Sequence, residues 1–248
     1  MIAEIEPSGL IRLGVRALEL VWASALAYYV LFDEGTKSSK RKEEFFSIGK
    51  IPRARQAFDL YRWALNQYLS EQPSEWPSLK IRPVQFPATG TDSHIANELF
   101  LVTISWIIHH EIAHARRNHL NTIPINPLAE ENEADQVATS WVCEAITSGD
   151  DPRHKPAFGV VTAILVLMDC DLRAGHLTSS THPPSYERLM RCLDHIGLPD
   201  DSRVWSFVLF ILEIHFSDVG FDFSSSDGSF REKCMSACFA IRDISNGK

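Results

Sequence analysis

Residues 99–115 read LFLVTISWIIHHEIAHA, an apolar run long enough for a buried helix yet carrying three histidines and a glutamate at its end. An acid placed in such a run is costly unless something uses it. The cluster is His110-Glu111-Ile112-Ala113-His114, an HExxH motif. At about 100° per residue, His110 and His114 project roughly 40° apart and one turn along a helix, so both imidazoles can reach one ion. Glu111 is turned about 100° from His110, beside the ion rather than on it, where a general base acting on water has to be. Ala113 and Ala115 leave room for another element to come close. Helical spacing extends this segment over about 94–119, with Thr91, Asp92 or Ser93 as possible caps.

A catalytic zinc ion needs three protein ligands and an open position. A third His six residues after His114 would give the metzincin pattern, but Leu120 occupies that place and Arg117 stands where the pattern needs Gly. His119 is one residue short of that spacing and reads as a surface polar group. The next acidic run, Glu130-Glu131-Asn132-Glu133-Ala134-Asp135, is the better source. On a helix Glu131 and Asp135 share a face at i and i+4, so Glu131 can ligate while Asp135 accepts the second N–H of a ligand His and fixes its tautomer. The competing explanation is that acids favour the first turn of a helix through its dipole. It covers Glu130 and Glu133 well, but Asp135 lies in the second turn and is followed by Val137, Trp141 and Val142.

HEIAH followed by Glu131-x-x-Ala134-Asp135 resembles the gluzincin arrangement of the HtpX and CAAX-prenyl-protease type. The later segment Thr181-His182-Pro183-Pro184-Ser185-Tyr186-Glu187-Arg188 resembles the downstream THPP…R segment of those enzymes. The resemblance covers about residues 95–195. It implies a zinc peptidase with Zn²⁺ on His110, His114 and Glu131, Glu111 as catalytic base, Asp135 behind a ligand His, and His182 and Arg188 beside the active site. Peptide hydrolysis leaves a negative oxygen that needs a donor, and His182, Arg188 or Tyr186 could serve. Those enzymes are built around transmembrane helices. A soluble chain with this pattern is more similar to the Lit-type phage-exclusion peptidases, which implies a bacterial setting, an intracellular protein or peptide substrate, and a phage-defence or stress role. The alternative function is a catalytically silent zinc-binding regulatory module on the same scaffold.

The rest of the chain sets the frame. Helical spacing is read at 9–32, 53–71, 129–147, 156–174, 183–196, 203–216 and 229–243. LKIRPVQF at 79–86 alternates apolar and polar residues and predicts a strand, confined by Pro83 to a sheet edge, where an extended substrate could add by backbone pairing. The stretch 33–50, with its KSSKRK cluster, is expected to be a solvated charged loop. The expected fold is mainly α (α+β), a gluzincin-like helical core with a small edge-stranded sheet. It is read as one domain over 1–248: an N-terminal helical part at 1–75, a catalytic core at 76–197 and C-terminal helices at 198–248.

With 24 basic and 32 acidic side chains the net charge is −8, which argues against a nucleic-acid partner. Five cysteines (Cys143, Cys170, Cys192, Cys234 and Cys238) form no CxxC pair and read as free or buried thiols in a reducing compartment. The start MIAEIEPSGL lacks the features of a signal peptide. The apolar runs at 21–32 and 205–212 are short of a membrane span. The expectation is a cytoplasmic protein without membrane insertion, open to a regulatory partner, its oligomeric state not readable.

Overall fold

The computed structural model describes residues 2–6, 8–43, 46–70, 75–77, 81–117, 119, 126–145, 153–175, 181–216 and 228–245. Among them are eight α-helices and one two-stranded antiparallel sheet, so the mainly α reading with a small sheet holds. The strands are β1 (Ala3–Ile5) and β2 (Ile11–Leu13). The helices are α1 (Val15–Lys40), α2 (Pro52–Leu69), α3 (Asp92–Arg116), α4 (Pro127–Ala145), α5 (His154–Ala174), α6 (Ser185–Ile196), α7 (Arg203–Phe216) and α8 (Phe230–Ser245), with a 3₁₀ turn at Ile48–Lys50 before α2. The chain forms two compact units, Leu13–Leu101 with residue 2 in one, Ala3–Arg12 and Val102–Lys248 in the other. The division falls inside α3, within the segment 76–197.

In the first unit α1 packs along α2. Leu20, Val21, Leu26 and Leu31 of α1 and Leu60 and Ala64 of α2 are buried, and the rings of Tyr28 and Tyr61 meet at 5.8 Å. Two expectations change here. Helix α1 starts at Val15 rather than residue 9, because Glu6 N–H donates to Leu10 O (2.9 Å) and Gly9 N–H to Glu6 O (2.8 Å). Gly9, at φ 82°, supplies the left-handed turn that sends residues 11–13 back along β1. At its other end α1 runs through Lys40, well into the stretch expected to be loop. Lys37 reaches Asp33 (2.7 Å) and Glu34 (3.0 Å) one turn back. Arg53 of α2 also pairs with both acids and forks onto Asp92 at the start of α3 (2.9 and 2.7 Å). The charges that suggested a solvated loop form a helix-supporting network instead.

Helix α1 is also long and apolar enough to cross a membrane, although 67% of its apolar window is buried inside the protein.

The strand expected at 79–86 is a further correction. Residues 78–80 lie outside the described ones, and 81–86 form no strand. Side chains take the carbonyls a ladder would use: Asn97 Nδ2 donates to Val84 O (2.8 Å) and Trp76 Nε1 to Ile81 O (3.2 Å). Phe86 is 84% exposed. Among the described residues the sheet is the N-terminal hairpin, and substrate addition to an edge has no strand to rest on at 81–86.

The second unit is organised on α5, where Val160, Val161, Ala163, Ile164, Leu165 and Met168 are fully buried. Helices α6 and α7 pack on it, α4 packs on α6, and α8 closes against α7 and α6. Gly159 lets α3 reach α5. A Cβ there would stand 2.2 Å from Val102 Cγ1 and 3.1 Å from the Val102 carbonyl carbon, so any larger residue would force the helices apart. Thr103 Oγ1 donates to Gly159 O at 3.2 Å. One turn on, Trp106 Nε1 donates to Thr139 Oγ1 of α4 (3.0 Å), both residues buried. These contacts set the depth of the HExxH turn against α4.

Candidate metal centre

Every residue of the site lies in the second unit. Helix α3 supplies His110, Glu111 and His114, all in its last two turns. Helix α4 supplies Glu131 and Asp135. Its start is fixed by Asn126, whose Oδ1 accepts the N–H of Ala129 (3.1 Å), and by Pro127 at the first helical position. That phase turns Glu131, Ala134, Asp135 and Ala138 inward, all four buried. The two alanines leave space where larger side chains would push the helices apart.

The ring nitrogens converge. His110 Nε2 lies 3.2 Å from His114 Nε2. Glu131 Oε2 lies 3.4 Å from His110 Nε2, and Glu131 Oε1 lies 3.2 Å from His114 Nε2. One ligand atom from each of the three residues falls within 4.8 Å of the others, a group able to hold a metal ion. Tetrahedral zinc with bonds of about 2.05 Å would space its ligand atoms about 3.3 Å apart, close to the distance between the two ring nitrogens and from each of them to one of the two Glu131 oxygens. Glu131 Oε2 is buried and has no hydrogen-bond partner among the described residues, a cost that a cation removes. The residues fit the ion.

Behind the first imidazole, Asp135 Oδ1 stands 2.9 Å from His110 Nδ1. Arg188 of α6 grips the same carboxylate with two N–H donors, Nε at 2.8 Å and Nη2 at 2.7 Å. The fork is almost dry, the two side chains being 4% and 7% exposed. Arg188 also lies over the ring of Trp106, 5.9 Å from its centroid. Position 188 is thus committed to Asp135.

Burial works against charge throughout this cluster, and the partners decide each outcome. Desolvation would raise the Asp135 carboxyl, but the Arg188 charge and the His110 hydrogen bond bring it down to about 2. Glu131 is likewise opposed by burial, yet His110 and His114 hold it well below the usual carboxylate range. Burial would lower His110, and the carboxylates of Asp135 and Glu131 beside it override that, lifting the ring to about 9. A metal taking that Nε2 at neutral pH must therefore displace a proton. Glu111 behaves differently: burial raises it, and the nearby His110 and His114 offset only part of the shift. A carboxylate with a raised pKa suits proton transfer.

The other expected residues divide. His182 comes to the site, its Nε2 3.6 Å from Glu131 Oε1 and its side chain 43% exposed, with Nδ1 held 2.9 Å from Thr181 Oγ1. Tyr186 is not brought in. It is buried, and the groups that act on its phenol are Glu187 and, on α8, Cys238, Arg242 and Asp243. Two residues before Arg188 on the same helix, it is rotated about 200° away. His109 also faces elsewhere, packed edge-on against Trp141 at 5.5 Å and within 3.3 Å of Ser105 Oγ. The five cysteines are free thiols, and none belongs to the metal-competent group found among the described residues.

One residue is placed against expectation. His119, read as surface polar, has a side chain only 10% exposed, and its Nδ1 stands 3.0 Å from His114 Nδ1. Helical continuation would have put it about 140° around from His114. Helix α3 ends at Arg116 instead, and no spacing rule signals the fold-back.

Residues 11–208 match the family model described as Peptidase U49. The chain is 31% identical over 179 residues to the cell death peptidase of Escherichia coli (strain K12), an alignment covering 72% of this chain and 60% of that protein. The match therefore spans less than two thirds of that relative. Both findings agree with the Lit-type resemblance carried by the three motifs. No solved structure matches the chain.

Proposed function

This chain belongs to the Peptidase U49 family, and from that premise we propose that it is a zinc-dependent endopeptidase of an intracellular protein substrate. The observation that supports this most is the convergence of His110, His114 and Glu131: the two Nε2 atoms lie 3.2 Å apart, and Glu131 meets the first with Oε2 at 3.4 Å and the second with Oε1 at 3.2 Å. These residues would hold the ion. When bound there, zinc supplies Lewis acidity, polarising a carbonyl oxygen and bringing the pKa of water to about 7.

The chain's own groups do the rest. Glu111, whose burial raises its affinity for a proton, takes one from water at a carboxylate oxygen. It then returns that proton to the departing amine. Asp135 accepts the Nδ1 proton of His110 and so keeps Nε2 of that ring directed at the ion, and Arg188 keeps Asp135 ionised and in place. His182, half-exposed beside Glu131, offers Nε2 as a donor to the oxygen that gathers negative charge. Tyr186 has no part in this scheme. The setting we propose is the cytoplasm, with a phage-defence or stress role and a partner or trigger that restrains cleavage.

The test is metal removal. A bacterial lysate incubated with the chain carrying one zinc per molecule is expected to accumulate new protein N-termini, and the chelator-stripped chain is expected to produce none. Identical profiles from the two preparations would contradict zinc-dependent proteolysis.

A further inference from the structure

The two histidines facing the ion are supported unequally. Behind His110 stands one acid gripped by a buried arginine. Behind His114 stands a longer chain of groups. His114 Nδ1 is 3.0 Å from His119 Nδ1, His119 Nε2 is 3.4 Å from Glu133 Oε2, and Arg117 Nε is 3.2 Å from Glu133 Oε1. The rings of His114 and His119 meet edge to face with centroids 5.1 Å apart.

Only one assignment of protons satisfies the whole chain once Nε2 of His114 is given to a metal. His114 must then carry its proton on Nδ1 and donate it. His119 must accept at Nδ1, which leaves its own proton on Nε2, pointing at the carboxylate of Glu133. Arg117 donates to the other oxygen of that carboxylate. Each donor meets an acceptor, and the sequence of groups repeats the logic of His110, Asp135 and Arg188 with one imidazole inserted. The contact goes with the end of α3 at Arg116: Arg117 N–H still donates to Ala113 O at 2.9 Å, and His119 lies beside His114 rather than further along the helix.

We propose that His119 is a positioning residue for His114, fixing the tautomer and ring angle of that second imidazole by accepting its Nδ1–H and passing its own Nε2–H to Glu133. This rests on the ion lying on His110, His114 and Glu131. The two arms differ in kind. Asp135 and Arg188 are 4% and 7% exposed, whereas Glu133 and Arg117 are 44% and 53% exposed. The His114 arm is therefore open to solvent and salt at its far end, and the His110 arm is sealed.

The experiment compares the full-length wild type, His119→Phe and His119→Gln, each stripped of metal and titrated with zinc against a chelating competitor. Phe keeps a flat ring of similar size and removes the acceptor. Gln can accept from His114 with its oxygen and donate to Glu133 with its amide. Loss of a group behind a metal-binding His lowers affinity about 10- to 100-fold, and that is expected for His119→Phe, with His119→Gln recovering most of it. The thermal midpoints of the metal-free variants should coincide. Should His119→Phe fail to fold, the ¹⁵N-resolved histidine ring spectrum of the zinc-loaded wild type decides, with the His119 proton expected on Nε2. Wild-type affinity in His119→Phe, equal weakening in both variants, or a His119 proton on Nδ1 would overturn the proposal and leave the metal site standing. A wild type that takes up no zinc would overturn the metal site and this proposal together.

Discussion

Glu111→Gln is expected to retain one zinc per chain and to lower kcat by about 10²- to 10⁴-fold, the range of a general base. Gln preserves the shape and hydrogen-bonding reach of the side chain but cannot take up a proton. The separation of metal from activity follows from position. Glu111 is rotated about 100° from His110, and the metal-competent group consists of His110, His114 and Glu131 without it. Its carboxyl is also raised by burial, with His110 and His114 offsetting only part of the effect. Zinc content by atomic emission, measured on the same preparations used for cleavage kinetics, distinguishes the possibilities. Loss of zinc together with activity would make Glu111 a ligand. Full activity in the variant would place the base elsewhere, and a wild type that binds zinc but cleaves nothing would favour the silent binding module.

The largest expected effect on stability is at Arg188. Removing one partner of a buried ion pair leaves the other charge stranded, at a cost of about 3–5 kcal/mol, and the Asp135–Arg188 fork is buried on both sides. Arg188→Leu should lower the unfolding free energy of the metal-free protein, read from a guanidinium titration, by about 3–5 kcal/mol. The double variant Arg188→Leu/Asp135→Leu should regain much of the stability, because no charge is left unpaired. It should not regain zinc affinity, since His110 has then lost its acceptor, and a 10- to 100-fold deficit should persist. An Arg188→Leu protein as stable as wild type would show that the fork adds nothing to stability in solution. A double variant with normal zinc affinity would remove Asp135 from the metal site.

These two residues also show how much of the site is legible in sequence. His110, His114, Glu131 and Asp135 are each one turn from a partner on a regular helix, so spacing alone predicts their shared face. Arg188 was recognisable only as part of a motif, and its partner was not, because α4 and α6 meet through tertiary packing that spacing does not encode. The same limit applies to His119, whose contact with His114 depends on where α3 ends. Tyr186 illustrates the converse: two places from Arg188 in a motif, it points to α8. In the fold, long apolar-periodic helices such as α5 and α7 were readable to within two residues. The misread segments were those where side chains redirect the backbone. Charged residues 33–37 are held helical by Arg53 and Lys37, and alternating residues 81–86 are kept from a strand by Pro83 and by Asn97 and Trp76 taking their carbonyls.

The position of one ion decides the assignment. A crystal of the zinc-loaded chain, measured on both sides of the zinc absorption edge, should show a single strong anomalous peak about 2.0–2.2 Å from His110 Nε2, His114 Nε2 and a Glu131 oxygen. A peak on the cysteines or elsewhere, with this trio vacant, would contradict the account.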